Sequence, residues 1–310
     1  TGAQIATAVI ENGTKGIANY TFNGQSLLLV SVADSVKYIG RGAFYKCPMY
    51  MVNLPSSLKS IGDYAFYGCT YANFGGKYYD LVIPEGTEYI GRSAFYKCAN
   101  ILSVEVPGTV KSIGAFAFYG CTALSNVTLG TGLQSVGSQV FADTPLLASA
   151  QEMLILDGWL IQILDIGTKT KVTLPETVYG IANYAFSGQS KLEQVVAKGT
   201  KFLGAASFSN CEELYWVEFG NELLTIGDYA FNGCSSDLVT GNGTCKNLIG
   251  SDRRGSDLRG GNRPGNDNRA VQFFPVLRIS QFLSGKPTGL SVDLIDQAVC
   301  PTNDQALRSQ

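Results

Sequence analysis

Apolar positions along this chain follow a long pattern that returns every 22 or 23 residues. The clearest copies are SIGDYAFYGCT (Ser60 to Thr70), SIGAFAFYGCT (Ser112 to Thr122) and TIGDYAFNGCS (Thr225 to Ser235). Each copy has the form I-G-x-x-A-F-x-x-C. A fixed period of this length is typical of a repeat protein in which every copy forms one structural unit.

The isoleucine position recurs nine times, and the phenylalanine follows it five residues later in every copy. The isoleucine-type residues are Ile17, Ile39, Ile61, Ile90, Ile113, Val136, Ile181, Leu203 and Ile226. The phenylalanines are Phe22, Phe44, Phe66, Phe95, Phe118, Phe141, Phe186, Phe208 and Phe231. The interval after Val136 spans two periods, which predicts one disguised copy, and the longer interval after Ile61 predicts an insertion at residues 71–80.

A second half-pattern follows each signature and alternates apolar with polar residues, which indicates a strand with one buried face. In CTALSNVTLGTGLQSVG (Cys121 to Gly137), Val127 and Leu129 are the apolar members. Proline or glycine closes most of these strands, as at Pro84 and Pro107, because neither residue suits a continuing ladder. The A-F-x-x-C segment is short, so it predicts a single helical or 3₁₀ turn.

Each rung is therefore predicted to contain a strand, a turn, a second short extended piece and a helical turn. One rung cannot bury its own apolar face, so the rungs are expected to stack about 4.7–4.9 Å apart around a shared core. The glycine after each isoleucine is expected to serve a tight bend, through close backbone approach or a positive φ. This pattern predicts an α/β repeat solenoid.

The signature resembles the BspA-like, or Treponema pallidum-type, leucine-rich repeat, whose pattern is close to VTSIGDYAFYGCTSLTSVTIP. The similarity covers about Thr14 to Cys234. It implies a leucine-rich-repeat right-handed superhelix with a parallel sheet on one face and short helical turns. The segment Ile155 to Pro175 departs from the pattern and resembles the hairpin-like rung that interrupts such arrays. The family is associated with bacterial and some protozoan surface proteins that adhere to host or matrix proteins.

The expected organisation is a leucine-rich repeat solenoid at residues 1–234, with about ten rungs and the hairpin-like rung near residues 150–170. Residues 235–310 are expected to hold a degenerate last rung around Ile249 and a C-terminal cap or tail. The apolar segments Ala270 to Leu283 and Leu290 to Cys300 either cover the last rung or belong to a poorly ordered end. The sequence leaves both alternatives open.

Composition narrows the classes of function. The net charge of −2 gives no basic footprint for nucleic acid, and the absence of histidine removes the commonest general base and metal ligand. No G-x-S-x-G, H-E-x-x-H or P-loop motif is present, and no apolar run approaches the roughly 20 residues of a membrane span. We therefore expect no enzymatic activity, no cofactor, no metal, no nucleic-acid partner and no transmembrane segment.

Six of the eight cysteines share the last position of the signature, where Gln25, Thr144 and Gln189 stand in other rungs. Free cysteine behaves as a small hydrophobe, and side chains on stacked rungs run parallel rather than facing each other. We interpret these six as reduced, structural thiols; parallel ligands without histidine also disfavour zinc. Cys245 and Cys300 lie off this ladder, and a disulfide between them stays open.

Function is expected on the outward residues of the strands, which line one long face of a curved solenoid. Tryptophan is enriched at binding hot spots, although the Trp216 ring folded against a neighbour is an equal alternative. Insertions in repeats often map to a binding face. The candidate partner-binding residues are Trp216, Glu218, Asp80, Val82, Ser103, Glu105, Asn126, Thr128, Tyr71, Phe74, Tyr78 and Tyr79.

The preferred interpretation is a non-enzymatic, extracellular or cell-surface module that binds a protein partner in the manner of an adhesin, such as a host or matrix protein. The alternative is a carbohydrate-binding or scaffolding module of a larger surface protein, with a glycan as ligand. A hydrolase using a carboxylate pair such as Asp80 and Glu105 is a third and less favoured class.

Overall fold

The computed structural model describes residues 7–75, 79–236, 238–240 and 243–244, which form a coil of stacked rungs. These residues lie in one compact unit, Thr1–Leu277, whereas the second unit, Arg278–Gln310, lies outside the described residues. Most of the predicted last rung and C-terminal cap, together with Cys245 and Cys300, also lies outside them. The prediction of a repeat solenoid with parallel sheets is confirmed.

An ordinary rung contributes two strands, which we call the longer strand (two to four residues) and the two-residue strand. The longer strands are β1 (Thr7–Ile10), β3 (Leu29–Val32), β5 (Met51–Val52), β7 (Asp80–Val82), β9 (Ser103–Val106), β11 (Asn126–Leu129), β15 (Lys171–Thr173), β17 (Gln194–Ala197), β19 (Trp216–Phe219) and β21 (Val239–Thr240). The two-residue strands are β2 (Gly16–Ile17), β4 (Tyr38–Ile39), β6 (Ser60–Ile61), β8 (Tyr89–Ile90), β10 (Ser112–Ile113), β12 (Ser135–Val136), β16 (Gly180–Ile181), β18 (Phe202–Leu203) and β20 (Thr225–Ile226).

Neighbouring rungs pair in parallel and in strict register. β7, β9 and β11 form one sheet of longer strands, β1, β3 and β5 a second, and β15, β17, β19 and β21 a third. The short strands β2 to β12 form a six-stranded sheet along the flank. Strand residues alternate between exposed and buried, as in β3 and β11, because one pleat face points into the core.

The interior contains the same residue types in every rung. Phe44, Phe66, Phe95 and Phe118 are fully buried, and successive rings stack with centroids 5.3 Å apart. Stacked aromatic rings at this separation add to the stabilisation from burial alone. The rungs thus share a continuous apolar interior that no single rung could enclose.

A hairpin divides the array in two. β13 (Met153–Leu156) and β14 (Trp159–Ile163) pair antiparallel, and β14 then pairs in parallel with β16. The four-residue helix α1 (Pro145–Ala148) precedes the hairpin, with the Thr144 side chain accepting the Leu147 N–H as its N-cap. A last short strand, β22 (Gly243–Thr244), pairs antiparallel with β21. We call the rungs from Ile17 to Val136 the first array and those from Ile181 to Ile226 the second array.

The A-F-x-x-C segments are turns rather than the helical turns expected from their length. Two residues per rung have positive φ, such as Tyr64 at 57° and Gly68 at 70°, which a right-handed helix excludes. The backbone N–H of Phe66 donates to the Ala94 carbonyl of the next rung at 2.8 Å. Peptide groups that bond along the stack in this way are not available for bonds within a helix.

The glycine that follows seven of the nine isoleucine-type residues is required by close backbone approach, which was one of the two predicted reasons; Ala18 and Ala182 stand at this position in the other two. A Cβ atom on Gly91 would lie 2.4 Å from the Asp63 backbone nitrogen, and one on Gly114 would lie 2.4 Å from that of Arg92. Neither glycine has a positive φ. At these two glycines the backbones of neighbouring rungs therefore lie too close together for a side chain to fit.

The six signature cysteines are free thiols, as predicted. Each thiol donates a hydrogen bond to the phenylalanine carbonyl of the preceding rung, for example Cys98 Sγ to Phe66 O at 3.1 Å and Cys121 Sγ to Phe95 O at 3.2 Å. Burial raises the pKa of Cys121 to about 12, so the thiol stays protonated and can donate. Each of these carbonyls thus accepts a thiol from the next rung in addition to a backbone N–H of its own rung, such as that of Cys69 at 3.1 Å from Phe66 O.

Candidate binding surfaces

The outward side chains of the longer strands form continuous ladders. In the first array Asp80 pairs with Ser103 and Ser103 with Asn126, while Val82 pairs with Glu105 and Glu105 with Thr128. In the second array the ladders that begin at Lys171 and Thr173 pass through Gln194 and Val196 to Trp216 and Glu218. We call these outward residues, with the residue directly before each strand, the strip.

The first-array part of the strip mixes polar and apolar groups. Asp80 Oδ1 accepts a hydrogen bond from Ser103 Oγ at 2.6 Å, which fixes both side chains in a half-buried position. Val82 is 51% exposed, and Glu105, Asn126 and Thr128 face solvent. Asp80 and Glu105 sit on adjacent strands two positions apart in register, and the Asp80 carboxylate is engaged with Ser103.

The second-array part is more tightly held. Trp216 is half-buried rather than free in solvent. Glu218 forms an ion pair with Lys198 at 3.1 Å, and the Gln194 side-chain amide donates to the Tyr215 hydroxyl. Trp216 therefore presents part of its ring beside a polar network, and a partner would contact both.

The insertion at residues 71–80 divides between core and surface. Tyr71 is 53% exposed and stacks on Tyr50 with ring centroids 6.0 Å apart, and Tyr79 is 44% exposed. Phe74 is not on the surface: it is buried and meets Phe66 edge-on, with centroids 5.1 Å apart. The expectation that Phe74 is a contact residue is thus corrected, because its ring fills the core of the longer rung. Tyr78 lies outside the described residues.

Several exposed apolar residues of the strip were missing from the sequence-based candidates. They are Val9, Leu28, Leu29, Tyr50, Met51, Leu102 and Tyr215. Leu28, Tyr50, Leu102 and Tyr215 stand directly before a strand, one step from the alternating pattern. That shared position can be read from the sequence. The alternating pattern does not reveal it, because the pattern covers only the residues inside the strand.

Tyrosines after the buried phenylalanines form a second ladder, on the turn side of the rungs. Tyr45, Tyr67, Tyr96 and Tyr119 stack with centroids 4.5–4.9 Å apart. The rings are half-buried against one another, so this ladder packs the rungs together.

A shallow cleft lies beside the hairpin. It has a volume of about 530 Å³, and its lining includes Glu176, Tyr179, Phe202 and the ion pair between Lys201 and Glu222, 2.9 Å apart. Thr131 also lines the cleft, so its walls come from the residues before and after the hairpin.

Neither a metal-binding cluster nor a membrane-spanning helix is found in the described ranges. There, no cluster of three or more histidine, cysteine, aspartate or glutamate side chains has the arrangement to hold a metal ion. No helix found in those ranges has the length and apolar character needed to cross a membrane.

Solved structures of similar proteins are leucine-rich repeat proteins. A leucine rich cell surface protein from Faecalibacterium prausnitzii A2-165 is 22% identical over 77% of this chain and 75% of its own length, with a TM-score of 0.38. A leucine-rich repeat protein from Bacteroides ovatus is 19% identical over 76% and 74%, with a TM-score of 0.33. The T. pallidum leucine-rich repeat protein is 21% identical over 61% and 79%, with a TM-score of 0.36. No curated protein matches the chain.

The family comparison covers most of the sequence. The model of the BspA type leucine rich repeat region matches with six copies, over residues 2–75, 74–151 and 167–248. The matched residues include the stacked phenylalanines, the cysteine ladder and both parts of the strip. The chain therefore belongs to the BspA-type leucine-rich repeat family.

Proposed function

We propose that this chain is a non-enzymatic, adhesin-like module that binds a protein partner, that it acts outside the cell or at a cell surface, and that the strip is its binding face. One observation carries the proposal. Of the sixteen large apolar side chains that are exposed among the described residues, ten lie on the strip or on the adjoining insertion.

Such a concentration has a physical meaning. Apolar side chains in water are unfavourable in contiguous groups, and large patches mark interaction sites. Tyrosine, methionine and tryptophan, which this strip contains, are enriched in the centres of interfaces. The in-register backbone also holds these side chains in place before binding, which reduces the entropy lost on association. Membership of the BspA-type family supports an adhesive role.

The test uses a panel of purified host extracellular-matrix proteins immobilised on a biosensor. Binding of the wild-type chain is compared with that of Met51→Glu/Val82→Glu and of Trp216→Ala. Met51 and Val82 are each 51% exposed, so the double variant should fold. For at least one of the immobilised proteins, we expect these variants to bind about tenfold or more weakly than the wild type, as for hot-spot residues.

Tyr184→Glu is the matched control, because Tyr184 is 54% exposed but lies on the turn side of its rung. Binding that is unchanged in both strip variants, or reduced equally in the control, would show that the strip is not the binding face. Binding to a glycan array with no protein bound would favour the carbohydrate-binding alternative.

A further inference from the structure

The flank of the first array carries a column of lysines that the net charge conceals. Lys15, Lys37, Lys59 and Lys111 occupy one rung position, which Glu88 fills in the rung between the last two. The Lys37 N–H donates to the Lys15 carbonyl at 2.9 Å, and the Lys59 N–H donates to the Lys37 carbonyl at 2.8 Å. Lys15, Lys37 and Lys59 therefore follow one another at one strand spacing, about 4.8 Å, Lys111 lies two spacings beyond Lys59, and all four are exposed.

Two arginines widen this charged surface on the other side of the short strands. Arg41 and Arg92 each lie two residues after the isoleucine of their rung. Their guanidinium groups lie 5.4 and 5.3 Å from the ring centroids of Tyr64 and Phe116. Contact with a ring face orients a guanidinium and leaves its N–H edge open to a ligand. The basic flank is Lys15, Lys37, Arg41, Lys59, Arg92 and Lys111.

The positive charge of the basic flank is largely uncompensated. The ion pairs found in the described ranges all lie beyond residue 150, and none involves these six cations. Two carboxylates share the surface, Asp63 and Glu88. The Asp63 carboxylate already accepts hydrogen bonds from the backbone N–H of Arg92 at 2.8 Å and from the Tyr89 hydroxyl at 3.4 Å.

The residues between the lysine and arginine columns indicate the class of ligand. The outward column is Gly16, Tyr38, Ser60, Tyr89, Ser112 and Ser135, so it offers hydroxyl groups and aromatic rings but no aliphatic anchor. The short strands pair with one another, so their inner edges cannot take up an added peptide strand. The large exposed apolar groups of this column are the rings of Tyr38 and Tyr89, which alternate with serines rather than forming a contiguous apolar patch.

We propose that the basic flank binds an acidic polysaccharide, whose carboxylate or sulfate groups pair with the lysine column and whose hydroxyls bond to the serine and tyrosine column. The surface is separate from the strip, so the proposal goes beyond protein binding and does not depend on it. The second array has no such basic surface. Tyr179, Lys201 and Leu224 occupy the lysine position there, and Lys201 is paired with Glu222.

The experiment measures binding of the full chain to dextran sulfate and to polygalacturonate, with neutral dextran for comparison, at about 0.15 M salt. We expect binding to at least one acidic polymer and none to dextran. The variant Lys37→Glu/Lys59→Glu should bind at least about tenfold more weakly, and wild-type affinity should fall as salt is raised, because the contacts are ionic.

Lys171→Glu/Lys191→Glu is the matched control, since it makes the same change in net charge at two exposed lysines outside the flank. Its affinity should change less than about twofold. An equal loss in both double variants, or no binding to either acidic polymer, overturns the proposal. Tighter binding to single-stranded DNA, polyglutamate or phosphatidylserine vesicles than to both polysaccharides also overturns it. Val82→Glu should leave polysaccharide binding unchanged, which separates this site from the strip.

Discussion

At the residue scale, the most informative position is the cysteine that ends each signature. The thiol meets two requirements at once, since it fills a small space at the core edge and donates to a carbonyl of the preceding rung. Threonine meets the second requirement differently: Thr144 Oγ1 donates to the Phe141 carbonyl of its own rung at 2.6 Å. This explains why the position tolerates a hydroxyl and yet mostly contains cysteine.

These thiols predict a stability that falls in alkaline solution. Burial raises the pKa of Cys211 and Cys121 from 9.0 to about 12. Above pH 9 the unfolded chain loses these protons and the folded chain keeps them, so the free energy of unfolding decreases as pH rises from 9 towards 12. We expect a loss of about 1 kcal/mol per buried thiol at pH 10, measured by urea unfolding.

The same titration in Cys98→Ala/Cys121→Ala isolates the thiols from other groups. This variant should be less stable at pH 7, because the Phe66 and Phe95 carbonyls each lose one of two donors and the removed sulfur atoms leave small voids in the core. Its stability should also depend less on pH between 8 and 10.5. Identical pH dependence in the variant and the wild type would contradict the assignment.

At the element scale, one rung is defined by where it touches its neighbours. The isoleucine and phenylalanine face the shared core, and the intervening glycine lets two backbones meet. The turn after them bonds to the next rung through its peptide groups, so a rung has little structure in isolation. The spacing from isoleucine to phenylalanine is constant because each of these residues meets its counterpart in the next rung, whereas the segment at residues 71–80 accommodates an insertion and leaves Ile61 and Ile90 in register.

Gly91→Ala tests this contact between rungs. The added methyl group would lie 2.4 Å from a backbone nitrogen, and backbone atoms cannot move aside as a side chain could. We expect a destabilisation of about 1–3 kcal/mol, measured by thermal or urea unfolding. Gly108→Ala is the control: nothing lies within 4 Å of its Cβ position and its φ is not positive, so its stability should change by less than about 0.5 kcal/mol. Equal effects would rule out the steric explanation.

At the scale of the whole molecule, the described core divides at the hairpin into two clusters. β14 contributes Trp159 and Ile161 to the cluster of the first array, and Leu160 and Ile163 to the cluster of the second. Repeat arrays gain stability from nearest-neighbour contacts, so a layer between two clusters is where cooperativity weakens. The binding surfaces follow this division, because the basic flank belongs to the first array and Trp216 to the second.

This division predicts local unfolding. Phe208→Ala removes a fully buried ring from the second cluster and should cost about 3–5 kcal/mol there. Hydrogen exchange should accelerate in the rungs around Phe186 to Phe231 and much less in those around Phe44 to Phe118. Phe95→Ala should give the reverse pattern. Uniform acceleration in both variants would mean that the two arrays unfold as one unit.

The sequence by itself determined the period, the buried residue types, the register of the strip and the free state of the six cysteines. It could do so because stacked rungs place the same demand on the same position every 22 or 23 residues, so the pattern repeats in one dimension. The hydrophobic ladder and the outward ladder were both predictable for this reason.

Only the tertiary structure decided which local conformation satisfied those demands. The turn segments form hydrogen bonds between rungs instead of helical bonds. Phe74 is buried between Phe66 and Phe95, and the lysines of separate rungs lie in one column. Each outcome depends on residues of the next rung along the stack. Net charge is a sum over the whole chain, so a value of −2 conceals the basic flank, whose lysine and arginine columns come together only when the rungs stack.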